Sequence, residues 1–380
     1  MDIQECRARI DEIDRDIVRL FSERMHTVSD IAAYKKENHL PVYDGARERA
    51  LLARVSELAG EELESYTRVL FSTLMNLSRS YQIKTTCPES ALSRRVAEAV
   101  EKTPRLFPEK ATVACQGVEG AYSQSACEKL FSAPNILYMN TFDAVFRAVN
   151  AGLCQYGILP LENSTAGSVN QVYDLMSKYH FTIVRSTRCR ISHCLLARPG
   201  VSLEDVREVY SHEQALNQCA GFFAEHKNIR PVACANTAIA AKTVAESDRR
   251  DIAALSSASC AELYGLRTLS RDVQDNGGND TRFICISKNL EVYPGADKTS
   301  VKLILPHRPG SLYHILARFY ALGINISKLE SRPIPGRDFE FMFYFDADAS
   351  VYSPALTSLL CELEAESEDF EYLGSYSEIV

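Results

Sequence analysis

From Ile10 to Ile31, apolar side chains recur at steps of three and four residues (Ile10, Ile13, Ile17, Leu20, Phe21, Val28, Ile31). Neither glycine nor proline interrupts the chain before Pro41. The pattern predicts one helix of roughly 35 residues, about 50 Å long at 1.5 Å per residue. Two shorter helices follow, one opened by Asp44 and running to about Leu58, the other from about Glu62 to Ile83. Two short helices of the same chain can hardly cover the long one, so its apolar face calls for a second copy, long helix packed on long helix. Residues 1–86 are therefore expected to form an all-α unit that dimerises.

The periodicity then changes twice. Residues 87–110, with Pro88, Pro104 and Pro108 around a short helical stretch, read as a linker. Over 111–288, short apolar runs such as Ala111–Cys115, Tyr156–Leu159 and Ile252–Leu255 alternate with helical stretches. That alternation predicts parallel strands in an α/β unit. The run Phe181–Leu196 is long enough to cross between two lobes, so a two-lobed domain with a cleft is expected. Residues 298–380 follow the order βαββαβ, a ferredoxin-like α+β arrangement.

The charge balance narrows the partners. A net charge of −8 argues against a general nucleic-acid surface, and no apolar run reaches the roughly 18 residues of a membrane span. The N-terminus carries no basic-then-apolar signal. The 12 cysteines are scattered, without a CxxC pair or a histidine at zinc spacing, and predict reduced, mostly buried thiols in a cytoplasmic chain with no metal. Gly117-Val118-Glu119-Gly120 lacks the spacing of a dinucleotide loop, and no cofactor is expected.

In the helical segment, Arg24 and Lys35 lie 11 residues apart, which returns them to nearly the same face. Arg7 lies roughly 25 Å from Arg24 along the axis and on another face, so it could join their site only from a partner chain. Ser78 and Gln82 form an i,i+4 pair on the third helix. Solvated charges on long helices would account for each residue singly. Together with Asp44, Arg47 and Glu48, however, they resemble the all-helical chorismate mutases over nearly the whole segment. The resemblance implies that Arg7 of a neighbour, Arg24 and Arg47 grip the substrate carboxylates. It places Lys35 and Gln82 beside the ether oxygen and Glu48 on the substrate hydroxyl, with Asp44 and Ser78 in support. An N-cap role explains Asp44 equally well. The reaction is pericyclic and needs no nucleophile, only a held conformer and stabilised charge.

Polar clusters fall at the predicted strand ends of the central segment: Gly120-Ala121-Tyr122-Ser123, Leu161-Glu162-Asn163-Ser164, Ser211-His212 and Thr281-Arg282-Phe283. Each singly reads as a helix cap or strand end. Together they resemble prephenate dehydratase over about 111–286, with Ala121 where threonine is usual and Ala235 where some relatives are acidic. The resemblance implies that Thr281 donates to the departing hydroxyl, and that Glu162, Asn163, Ser164, Ser211, Gln218, Thr237 and Phe283 line the cleft. Arg282 either pairs with a substrate carboxylate or braces the motif. His212 suggests a base, but a structural hydrogen bond is the preferred reading.

Pro309-Gly310-Ser311-Leu312 sits where a strand turns into a helix, and Glu330-Ser331-Arg332-Pro333 ends the next strand. These resemble the two phenylalanine-binding motifs of ACT regulatory domains, with Ser311 in place of the usual alanine. The implied effector site comprises Gly310, Ser311, Leu312, Asn325, Glu330, Ser331, Arg332 and Pro333. The implied whole is a homodimer, with a tetramer as the alternative, that converts chorismate to prephenate and then to phenylpyruvate under feedback by phenylalanine. The competing reading is a non-catalytic amino-acid sensor whose helical segment only dimerises; Lys35 and Thr281 argue against it.

Overall fold

A computed structural model describes residues 2–86 and 90–380. The chain forms two compact bodies, one of residues 1–97, 302–345 and 352–370, the other of 98–301, 346–351 and 371–380. These bodies cut across the expected boundary at 298. The start of the C-terminal segment, its Asp346–Val351 turn and its last residues belong with the central segment.

In the first body, α1 spans Ile3–Glu37. Asp2 opens it by accepting from the backbone N–H of Gln4 (2.6 Å) and Glu5 (2.9 Å), while the Glu5 carboxylate accepts from the Asp2 N–H at 2.9 Å. This reciprocal box satisfies donors that the first turn leaves orphaned. α2 spans Gly45–Thr86, but Gly60 leaves helical geometry with φ +70°. The break falls between the two shorter helices expected there, at the residue that tolerates a positive φ. Within the body α1 buries only Val28 and Ala32. Ile10, Ile13, Ile17 and Leu20 of its apolar face stay 44–57% exposed.

The linker region 90–110 contains α3, Ala91–Lys102. The strands of the second body are β1 (Thr112–Gln116), β2 (Asn135–Met139), β3 (Tyr156–Asn163), β4 (Gly167–Ser168), β5 (Thr182–Arg190), β6 (Cys194–Ala197), β7 (Glu208–His212), β8 (Arg230–Cys234), β9 (Ile252–Ser256), β10 (Arg267–Ser270) and β11 (Asp280–Ser287). The C-terminal segment adds β12 (Lys298–Ile304), β13 (Asn325–Pro333), β14 (Phe341–Asp348), β15 (Asp369–Tyr376) and β16 (Glu378–Ile379).

Two sheets make the lobes. The first runs β16-β5-β11-β3-β1-β2 with β4 beside β3, and the second runs β10-β6-β9-β7-β8. Both mix directions. β1, β2 and β3 are parallel, whereas β11 is antiparallel to β3 and β5, and β6 is antiparallel to β9 and β10. The antiparallel pairs arise because the chain crosses between sheets twice, outward after β5 and back before β11. In the second sheet Cys194, Leu196 and Ala254 enter one core, while Leu195, Ala197, Ala253 and Leu255 enter another. Burial on both faces explains these unbroken apolar runs. The C-terminal segment has the element order β12, helix Ser311–Ala321, β13, β14, helix Pro354–Glu366, β15, in a sheet ordered β13-β14-β12-β15. β16 then pairs in parallel with β5.

Candidate active sites

The helical segment brings several of its expected polar residues together. Arg24 donates from Nη1 to Ser78 Oγ and, at 3.3 Å, to the Leu74 carbonyl. Partial burial lowers the Arg24 pKa, yet a guanidinium stays charged at any working pH. Ser78 and Gln82 are 5% and 7% exposed, so the third helical stretch turns this pair inward. Lys35 Nζ donates to the Val42 carbonyl at 2.7 Å, tying the end of α1 to the following turn. Asp44 Oδ1 accepts from the Arg47 N–H at 3.0 Å, a capping bond at the start of α2. Arg47 and Arg7 are exposed. Glu48 is held by Arg79, a residue the sequence reading passed over. Arg79 also reaches Asn76 Oδ1 and lies 3.8 Å from Glu366 of the C-terminal segment. Its position one residue after Ser78 was the available signal.

The effector motif residues take clear backbone roles. Gly310 adopts φ +88° immediately before the helix that Ser311 and Leu312 begin. Ser311 Oγ donates to the Pro306 carbonyl at 2.7 Å. Asn325 opens β13, and Glu330, Ser331, Arg332 and Pro333 close it. Ser311 also borders a cavity of about 360 Å³ shared with Tyr43, Arg79, Arg308 and His314.

In the second body a cavity of about 490 Å³ opens among Ser123, Asn163, His193, Gln218, Thr237, Thr281 and Phe283, with Gln116, Tyr122 and Asn236 nearby. No Arg or Lys is among its lining residues. Two helices of nine and ten residues, Tyr122–Leu130 and Thr237–Glu246, begin at its wall, and such N-termini favour anions.

The β3–β11 register sets Thr281 opposite Asn163. Asn163 Oδ1 accepts from the backbone N–H of Thr165 (3.0 Å) and Ala166 (2.8 Å). Its Nδ2 therefore points the other way, donating to Thr281 Oγ1 at 2.9 Å and Asn279 Oδ1 at 2.6 Å. Thr281 Oγ1 acts as acceptor in that bond, and among the described residues nothing takes its own proton. The hydroxyl is thus left with a proton to donate.

Glu162, Ser164 and Ser211, expected in the cleft wall, are not among the residues lining the cavity, and neither is Arg282. Ser211 is fully buried and donates to the Leu255 carbonyl at 2.7 Å, bracing β7 on β9. Ser164 Oγ donates to the Gly278 carbonyl and accepts from the Asp280 N–H, both at 2.9 Å. Arg282 lies on the strand face opposite Thr281 and Phe283, as the two-residue period of a strand requires. It is 5% exposed, paired with Asp346 and, at 2.8 Å, with Glu162, so Glu162 is drawn to that face as well. Burial opposes the Arg282 charge, but Asp346 and Glu162 more than offset it, and its pKa is raised. Arg282 is thus engaged by Asp346 and Glu162 and is not among the residues lining the cavity. His212 Nδ1 accepts from the Gln214 N–H at 3.2 Å, a helix-capping bond. His193, absent from the sequence reading, is 2% exposed and lines the cavity.

The Arg282–Asp346 pair carries a stability prediction. Asp346 is 5% exposed and also accepts from Ser300 Oγ at 2.5 Å. Asp346→Ala removes one of the two carboxylates that offset the buried Arg282 guanidinium and is expected to lower unfolding free energy by about 3 kcal/mol, read by chemical denaturation. Asp346→Asn, which keeps an acceptor, should cost visibly less.

Residues 6–83 fit the family model of chorismate mutase type II, and residues 113–291 that of prephenate dehydratase. The fold and the cleft thus define a prephenate dehydratase preceded by a helical mutase segment. The bifunctional chorismate mutase/prephenate dehydratase of Stutzerimonas stutzeri is 31% identical over 386 aligned residues, covering 100% of this chain and 98% of that protein. The arogenate dehydratase/prephenate dehydratase 2 of Arabidopsis thaliana is 36% identical over 314 residues, covering 80% of this chain and 81% of its own length. A prephenate dehydratase of Arthrobacter aurescens solved with L-Phe superposes with a TM-score of 0.64 at 32% identity, covering 70% of this chain and 89% of that one. The structure described as GqqA, a novel type of quorum quenching acylase, gives a TM-score of 0.64 at 34% identity, over 70% of this chain and 98% of that one. This chain belongs to the bifunctional chorismate mutase/prephenate dehydratase family.

Proposed function

We infer that the chain carries out two consecutive steps of phenylalanine biosynthesis. The helical segment rearranges chorismate to prephenate. The α/β cleft then converts prephenate to phenylpyruvate, with loss of carbon dioxide and the ring hydroxyl. The observation that carries the second step is the Thr281 hydroxyl, fixed by Asn163 as an acceptor and left with a free proton. Cleavage of the carboxylate C–C bond supplies the electron pair that aromatises the ring as the C–O bond breaks. Thr281 donates a hydrogen bond to that departing oxygen, and solvent supplies the proton that completes water. Thr281 is a weak acid in water, so its contribution rests on position inside the cleft. The substrate carboxylates meet the amide of Gln218, the hydroxyl of Thr237 and the two helix N-termini, in place of guanidinium groups.

For the first step, Arg24, Arg47 and the partner subunit's Arg7 bind the carboxylates of chorismate, Lys35 and Gln82 flank its ether oxygen, and Glu48 holds its hydroxyl. The exposed isoleucines of α1 support the dimer this requires, because so long an apolar face on one copy marks an interface. The free thiols among the described residues fit a cytoplasmic compartment.

The C-terminal segment is assigned as a ferredoxin-like ACT domain that binds phenylalanine through Gly310, Ser311, Leu312, Asn325 and Glu330–Pro333. β13 lies at its sheet edge, where a second copy can pair. Purified protein given chorismate without cofactor should form prephenate and then phenylpyruvate, with phenylalanine suppressing phenylpyruvate more than prephenate. Untouched chorismate alongside dehydrated prephenate would reduce the helical segment to a dimeriser. Phenylalanine binding without either product would favour the sensor.

A further inference from the structure

We propose that His193 is a positioning residue of the dehydratase, which fixes the Gln218 side chain so that its amide protons face the substrate. The inference rests on the reading of the cleft given above.

His193 lies just before β6, on the outward crossing between the two sheets, and Asn279 lies just before β11, on the return. The crossings are joined at His193: its N–H donates to Gln274 Oε1 at 2.8 Å, and its carbonyl accepts from Val273 N–H at 2.9 Å. Both crossings also converge on Gln218. His193 Nε2 and Asn279 Nδ2 each lie 3.1 Å from Gln218 Oε1.

The polarity of this chain follows from two backbone amides that can only donate. Thr165 and Ala166 N–H fix Asn163 Oδ1, so Asn163 Nδ2 faces Asn279 and Thr281. The Asn279 atom that receives it is Oδ1, which turns Asn279 Nδ2 toward Gln218. The Gln218 atom receiving that proton is Oε1, and a carbonyl oxygen cannot donate to His193. Nε2 of His193 must therefore carry hydrogen, which leaves Nδ1 bare. Nδ1 is buried and unpartnered among the described residues, and burial lowers the histidine pKa, which keeps the ring neutral. With two donors on Oε1, the Gln218 amide cannot flip, and no acceptor among the described residues takes its Nε2 protons. Gln218 lines the same cavity as Thr281. One run of hydrogen bonds thus sets both the amide that meets the substrate anion and the hydroxyl that meets the leaving group.

Glutamine and asparagine separate this role from simple filling of space. His193→Gln can place a nitrogen donor near the original Nε2, whereas the shorter side chain of His193→Asn cannot reach Gln218. Steady-state dehydration of prephenate by the full-length protein should lose at least about tenfold in kcat/KM with His193→Asn and stay within about threefold with His193→Gln, the size of one donor's contribution. In a Gln218→Leu background His193→Asn should cost less than about twofold, because its target is gone. Mutase turnover of chorismate by the same samples reports that the chain is intact. Equal losses with Asn and Gln, an unchanged His193→Asn enzyme, or the same cost in both backgrounds would each overturn the inference. If Gln218→Leu alone leaves dehydration unchanged, the reading of the cleft fails with it.

Discussion

Thr281→Val is expected to lower kcat for prephenate dehydration by about 10²–10⁴-fold while chorismate rearrangement by the same protein stays within twofold of normal. Valine keeps the branched shape and removes the hydroxyl. Thr281 is 7% exposed, and Asn163 keeps its bond to Asn279 at 2.6 Å when Oγ1 is lost, so the cleft should hold its form. The loss then falls on the step in which the C–O bond breaks, and KM should move little, because the hydrogen bond strengthens as charge develops on the departing oxygen. Serine keeps the hydroxyl without the methyl group that locks its rotamer, so Thr281→Ser should recover part of the rate. Separate readings of phenylpyruvate and prephenate decide the matter. A valine enzyme that turns over normally would remove Thr281 from the chemistry.

The second large effect belongs to the helical segment. Lys35→Met removes the ammonium proposed to meet the ether oxygen and should cost the mutase about 10²–10³-fold, with dehydration of added prephenate unchanged. Arg7→Ala should impair the mutase as well, through the partner's site. Mixing the two variants tests this arrangement directly. After subunit exchange half the dimers pair one variant with the other, and each such dimer has one of its two sites fully intact. About a quarter of normal mutase activity should return. No recovery, with exchange verified by mass, would show that Arg7 acts within its own chain or not at all.

The effector motifs read in the C-terminal segment lie on the same body as the helical segment. Ser80 Oγ donates to Glu362 at 2.6 Å, and Arg79, the partner of Glu48, also faces Glu366. Buried or half-buried charges in such a group have few alternative partners, so substitutions there should be felt at Glu48.

Much of this molecule is legible in its residues alone, because some features are local. The three- and four-residue apolar period from Ile10 to Ile31 appears as α1, and the loss of period near Gly60 appears as the break in α2. Alternation is equally local. Thr281 and Phe283 share a face of β11, and Arg282 is forced onto the other. That rule by itself separates the arginine from the cleft, but it does not say what lies behind the strand. The answer is Asp346, 64 positions further along the chain, and nothing in either neighbourhood announces the pairing.

The same limit explains Ser211, Ser164 and His193. Whether a hydroxyl caps, braces or faces substrate depends on which carbonyl lies within about 3 Å, and strand register and the crossings between sheets decide that. Ser211 has the Leu255 carbonyl of a neighbouring strand beside it. His193 meets Gln218 because two crossings converge on one amide. The sequence by itself determined the periods, the breaks and the motifs that place this chain in its family. Tertiary structure alone decided which polar groups face substrate and which support them, because a hydrogen bond is set by distance in space, and separation along the chain does not encode it.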